Sequence, residues 1–135
     1  MNKLTGTIVS IESSEHMSMV DIDVEGDVFS SIVLETPASA AYLKQGGRVH
    51  LLFKETEVSI GKDLKGLISL RNRFKATIKH MEKSALLTKI TLDFKDREIT
   101  SVISTRSAEK LALADGDQVE WLVKTNEISL QAQEA

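Results

Sequence analysis

An all-β fold of two small barrels in tandem is predicted by three features of the sequence. A shift of seventy residues lays the second half on the first without a gap: Asn2 on Asn72, Thr7 on Thr77, Ile8 on Ile78, Asp23 on Asp93, Ser31 on Ser101, Ala38 on Ala108, Gly46 on Gly116, Val49 on Val119, Lys54 on Lys124, and Ser59 on Ser129. Such self-similarity marks a duplication. Short runs alternate apolar and polar residues, the period of strands with one buried face. Gly- and Asp-containing turns separate these runs at close intervals.

Each repeat opens with a strand, Leu4 to Ile11 and Phe74 to Met81. In the next, Val20, Ile22 and Val24 alternate with Asp21, Asp23 and Glu25, and the copy repeats this as Ile90, Leu92 and Phe94 against Thr91, Asp93 and Lys95. Gly26-Asp27 and Asp96-Arg97 turn the chain into a third strand, Val28 to Val33 and Glu98 to Ile103. Ala38 to Leu43 and Ser107 to Leu113 lack β-branched residues and read as a short helix, with Ser107 a candidate cap. Pro37 stands at the start of the first helix, where its missing N–H costs little. Gly46-Gly47 and Asp115-Gly116-Asp117 lead into a last hairpin, Arg48 to Lys54 with Glu57 to Ile60, and Gln118 to Lys124 with Glu127 to Leu130. Four or five short strands with one helix fit a closed Greek-key barrel of OB type, since closure removes exposed edges. The expected organisation is module one at 1–62, a linker at 63–68 containing Gly66, and module two at 69–135.

Modules of about 65 residues bury only about 60% of their unfolded surface, so association with a twin or with another chain is expected. The chain has no cysteine, which excludes disulfides and thiolate metal sites and suits a reducing compartment. Met1 to Gly6 has no apolar core of a secretory signal, and no run approaches the roughly 20 apolar residues of a membrane helix. A cytoplasmic protein with no membrane partner is expected. A net charge of −3 and 4% aromatic residues argue against nucleic acid, which OB barrels hold with stacked aromatics along a basic groove.

Ser69-Leu70-Arg71-Asn72, followed by Phe74, Ala76 and Thr77, closely resembles the Ser-Ala-Arg-Asn opening of mop modules. These form the TOBE (transport-associated OB) family found in molybdenum-pterin-binding proteins, molybdate-responsive regulators and molybdate transporter ATPases. Ile99 to Ser104, Ser107 to Leu111, Asp115-Gly116-Asp117 and Val123 to Ile128 agree with it. The chain resembles a di-mop protein without an attached DNA-binding or ATPase domain. The resemblance implies molybdate or tungstate bound at interfaces between modules. Carried over by position, the ligand set is Ser69, Arg71 and Asn72 with the backbone N–H of Leu70, facing Ser104, Ser107, Lys124 and Thr125. These residue types match what such a ligand requires. A tetrahedral dianion offers only acceptors, so its site must supply hydroxyls, amides, an ammonium and a guanidinium fork. The helix start near Ser107 adds further N–H groups. The metal arrives as its oxyanion, so no direct metal ligands and no redox cofactor are needed.

The first repeat departs from this pattern. Arg71 corresponds to Met1, Ser104 to Leu34, Ser107 to Pro37 and Thr125 to Glu55, while Lys124 survives as Lys54. Leu34 and Pro37 have no side-chain donor, and Glu55 repels an oxyanion. Module one is therefore expected to be scaffold, with sites pairing second modules of different chains in a homo-oligomer (dimer, trimer or hexamer). Bland readings stand beside this one: a lone arginine is usually a solvated surface residue, serines before a helix are usually caps, and a lysine shared by both repeats suits a role in the fold. His16, His50 and His80 lack the spacing of a metal site, and Asp21, Asp23 and Glu25 lack that of a calcium loop. No nucleophile stands by motif beside a base, so a non-enzymatic protein is expected: an oxyanion binder for storage, buffering or homeostasis. The alternative is an oligomerisation or regulatory module that has lost anion binding and associates with a transporter or regulator.

Overall fold

A computed structural model describes residues 1–134. In chain order the elements are β1 (Asn2–Ser14), β2 (Met17–Val24), β3 (Asp27–Val33), β4 (Arg48–Phe53), β5 (Ser59–Gly61), β6 (Asn72–Lys83), β7 (Leu87–Phe94), β8 (Arg97–Ser104), α1 (Thr105–Lys110), β9 (Gln118–Val123) and β10 (Ser129–Ala132). Single 3-10 turns at Glu55–Glu57 and Thr125–Glu127 follow β4 and β9. The chain forms two units, one of Met1–Phe53 with the chain from Lys124 onward, the other of Lys54–Val123.

In the first unit the strands run β10-β4-β1-β2-β3, all neighbours antiparallel. Alternation decides which face is buried: Leu4 and Ile8 from β1 and Val20, Ile22 and Val24 from β2 are all at most 1% exposed. Phe29, Leu51 and Phe53 complete the same core. β1 is long enough to serve two partners because it bends. Its register against β2 shifts between Ile8 and Ser10, a bulge that sharpens strand twist. At that bend Ile8 exchanges backbone hydrogen bonds with Gly46 and Gly47, both 2.8 Å. The sheet curls until Ser31 on β3 donates 2.7 Å to the carbonyl of Ile128, the residue before β10, so the cyclic order is that of an OB barrel.

The second unit repeats this as β5-β9-β6-β7-β8. The bulge falls between Ile78 and His80, at the matching place in the repeat, and Ser101 donates 2.6 Å to the Val58 carbonyl. Phe74, Phe94 and Trp121 form its core, with ring centroids 5.2 to 5.8 Å apart, a separation typical of tilted and edge-to-face aromatic pairs.

Two local expectations are revised. The last hairpin does not close within either repeat: Ser59 to Gly61 pairs with β9, and Ser129 to Ala132 pairs with β4. Each barrel thus takes its fifth strand from the other repeat. The 3-10 turn explains the departure. Lys54 N–H donates 3.0 Å to the Glu57 carboxylate, and this one-turn step carries the chain onward, whereas a two-residue hairpin turn would fold it back. The helix expected at Ala38 to Leu43 is a run of turns, in which Thr36 O accepts from Ser39 N and Ala40 N at 2.9 Å. The second repeat shows why. There α1 begins at Thr105, and Ser104 Oγ accepts 3.1 Å from Ser107 N–H. The first repeat has Leu34 in place of the acceptor and Pro37 in place of the donor, so this cap cannot form.

Candidate functional site

The residues singled out in the sequence fall into groups with different surroundings. Ser69 and Arg71 are exposed just before β6, with Leu70 half-buried between them. Arg71 makes no ion pair among the described residues, whereas its neighbour Arg73 is paired with Glu120, Nη2 donating 3.0 Å to Oε1. That pairing holds the Glu120 carboxyl below its ordinary range. Asn72 behaves differently. It is fully buried and its Nδ2 donates 3.0 Å to the Val123 carbonyl, the residue opposite it in the β6–β9 ladder. Its amide therefore clamps the start of β6 to the end of β9. Arg71 precedes one member of this clamp and Lys124 follows the other, so both cations leave the ends of an anchored strand pair. Lys124 is exposed and Thr125 half-buried.

Ser104 and Ser107 form the second group, at the start of α1. Both are exposed. Ser104 Oγ accepts from Ser107 N–H and donates 2.9 Å to Ser107 Oγ, so the cap and the paired hydroxyls are the same atoms. Thr105 fixes this corner: its N–H donates 2.8 Å to Leu86 O and its hydroxyl donates 2.8 Å to Ser84 O. A recess of about 210 Å³ opens beside it, lined by Ala85, Leu86, Ser104 and Arg106. Arg106 was not among the residues read from the sequence. The signal available was its place in the chain, a cation between the two candidate serines.

The two groups in the second unit lie at opposite ends of β6. Asn72 starts the strand, whereas Ser104 pairs with Leu87 beside Ser84, just past the end of β6 at Lys83. At about 3.3 Å per residue the strand between them has a contour of roughly 36 Å. Arg71 and Ser104 of the same sheet thus stand at opposite ends of a long strand.

At the matching places of the first unit, Leu34 is 79% exposed and carries no donor, and Pro37 is exposed. Among the described residues no group of three or more His, Cys, Asp or Glu is placed to hold a metal ion, and no helix is long and apolar enough to cross a membrane.

Residues 68–130 match the TOBE domain model. Among curated proteins, the molybdenum import ATP-binding protein ModC of Brucella abortus (strain 2308) is 32% identical over 111 residues, covering 82% of this chain. The chain spans 29% of that relative's length. Among solved structures, the cytoplasmic molybdate-binding protein ModG with molybdate bound superposes with a TM-score of 0.91 at 27% identity, over 98% of this chain and 96% of that one. A molybdate-binding protein from Sporomusa ovata is 39% identical and covers 44% of this chain and 88% of its own, with a TM-score of 0.43.

Proposed function

We propose that this chain, whose residues 68–130 match the TOBE domain, is a non-catalytic, cytoplasmic oxyanion-binding protein that holds molybdate or tungstate for storage, buffering or homeostasis. The observation that carries this reading is the donor set of the second repeat: Ser69, the Leu70 N–H and Arg71 at one end of β6, Ser104 and Ser107 at the other, with Lys124 and Thr125 after β9. A doubly negative tetrahedron needs donors on all sides, and charge-assisted hydrogen bonds are the strong ones. Because the two groups stand at opposite ends of β6, we read the site as completed by a second copy of the chain, Arg71 of one meeting Ser104 and Ser107 of another. Asn72 contributes by anchoring the strand end from which Arg71 projects. The ModG likeness over nearly the full length of both chains supports this reading, as does the match of the second repeat to the TOBE model.

Calorimetric titration with molybdate tests it. Saturable binding is expected, weakened about tenfold or more by Arg71→Ala, since a hydrogen bond to a charged group contributes about 1.5–3 kcal/mol. Absence of saturable heat with both molybdate and tungstate, in a chain that still self-associates, would favour the alternative of an interaction module without a ligand.

A further inference from the structure

The duplication supplies an internal control for a second site, because the same surface exists twice with different chemistry. In the first unit a cleft of about 490 Å³ lies between the turn after Tyr42 and the outer edge of the β4–β10 pair, lined by Tyr42, Lys44, Gly47, Arg48, Ala132 and Gln133 among others. None of the residues lining it is a carboxylate. Arg48 is held in place on two sides: Nη1 donates 3.0 Å to Thr7 Oγ1 and Nε donates 3.4 Å to Gln133 Oε1. Its remaining N–H groups and the Lys44 ammonium are available to the cleft. Tyr42 has given its hydroxyl to Glu35, 2.6 Å away, so it presents its ring.

The matching surface of the second unit is acidic and is partly filled by a lysine. Where the first unit has Ala132, the second has Lys62, whose ammonium donates to Leu111 O at 3.3 Å, Ala112 O at 3.1 Å and Asp117 at 3.1 Å. Gly47 corresponds to Asp117, Gln133 to Asp63, Lys44 to Ala114 and Arg48 to Gln118. Two carboxylates and a plugging lysine have thus become a glycine, a glutamine and an alanine, while two neutral residues have become cations. Each of these changes either opens the cleft or makes it more positive. The fold does not require an arginine at position 48, since Gln118 makes the same contact to Thr77 in the second unit, Nε2 donating 3.4 Å to Oγ1, that Arg48 makes to Thr7, and alanine stands at the Lys44 position.

The geometry points to a second ligand site in the first unit, separate from the proposed oxyanion site, that takes a small organic phosphate. The anionic head is set by the Arg48 fork with Lys44 and the Gln133 amide, a donor set suited to phosphate oxygens. The organic body follows from size: pockets for small molecules occupy about 300–1,000 Å³, and this cleft is much larger than a bare phosphate needs. Tyr42 and Ala132 give that body an apolar wall.

Nuclear magnetic resonance titration of the full chain tests the site, with adenosine monophosphate, glycerol phosphate and inorganic phosphate as probes. Saturable shifts are expected at the amides of Lys44, Gly47, Ala132 and Gln133, with both organic phosphates binding more tightly than inorganic phosphate. The paired substitution Lys44→Ala and Arg48→Gln, which installs the residues of the second repeat, should weaken binding about tenfold or more and leave the molybdate titration unchanged. Gly47→Asp, which installs the counterpart of Asp117, should do the same by placing a carboxylate in the cleft. Shifts that never saturate overturn the site, and equal affinity for inorganic phosphate overturns the organic body. Unchanged affinity in both variants moves the site elsewhere.

Discussion

Arg71 and Asn72 are adjacent in one four-residue motif, yet the fold gives them opposite environments. Arg71 is solvated and makes no ion pair among the described residues, whereas Asn72 is sealed in the barrel with its amide on the Val123 carbonyl. The two should therefore separate binding from stability. Arg71→Ala is expected to lower molybdate affinity with the melting temperature unchanged, because an exposed residue of this kind contributes little to folding. Asn72→Ala is expected to cost about 1–3 kcal/mol by leaving a buried carbonyl unsatisfied, measured by urea unfolding. Loss of stability in the arginine variant, or none in the asparagine variant, would reverse the assignment. The burial of Asn72 was legible in the sequence: Asn72, Phe74, Ala76 and Ile78 share one parity, and the last three are apolar. The resemblance drew attention to its donors, and the strand period was the better guide to its direction.

Among the elements, strands were legible wherever alternation was clean, as at Val20 to Val24 and Ile90 to Phe94, because one-sided burial leaves a period of two in the residues themselves. The missing first helix was legible too, since Leu34 and Pro37 replace both partners of the Ser104–Ser107 bond. Close packing between strands was not, because it depends on which backbone lies opposite. Gly6 shows this. A Cβ at that position would overlap the Asp23 carbonyl oxygen and stand 2.7 Å from Ile22 Cγ2, although its counterpart in the second repeat is Ala76. Gly6→Ala is accordingly expected to destabilise the first unit by at least about 1–3 kcal/mol, the usual cost of overpacking, seen as an earlier thermal transition. A neutral effect would mean that β1 and β2 can part as easily as β6 and β7. The ion pairs of the second unit set its acid response. Hydrogen bonds from Lys62 to Asp117 and from Arg73 to Glu120 hold both carboxyls below their ordinary range. Their stabilisation is complete above the unfolded carboxyl values of about 4 and is lost as pH falls through the lower folded values. Melting temperature should hold steady down to about pH 5 and then decline. Asp117→Asn should make that decline shallower, and an unaltered slope would show that the acid transition is governed elsewhere.

At the scale of the whole chain, the duplication revealed the number of barrels and concealed their connectivity. Ser59-Ile60 and Ser129-Leu130 carry nearly the same pattern, and each fits either fifth-strand position: Ile60 faces Trp121 across β9, and Leu130 faces Leu51 across β4. No apolar periodicity distinguishes pairing within a repeat from pairing between repeats. The choice is made by the 3-10 turns after β4 and β9, whose backbone path leaves no apolar pattern in the sequence. This exchange has a consequence for a half-molecule. A fragment of residues 69–135 keeps β6 to β9 and β10, but it loses β5, so the edge of β9 is uncovered and Ser101 lacks the Val58 carbonyl that it uses in the full chain. Its own β10 matches that vacancy in sequence, with Ile128 in place of Val58, yet the Thr125–Glu127 turn directs it away from the sheet it follows. The resolution is mutual exchange between two copies, each supplying β10 to the other's β9. Light scattering on the purified fragment should then give an even number of copies, while Leu130→Glu, which places a charge opposite Trp121, should leave an unstable monomer. A well-folded monomer of the unaltered fragment would show that the turn can reverse and close the hairpin locally, and that the exchange in the intact chain follows from tandem fusion alone.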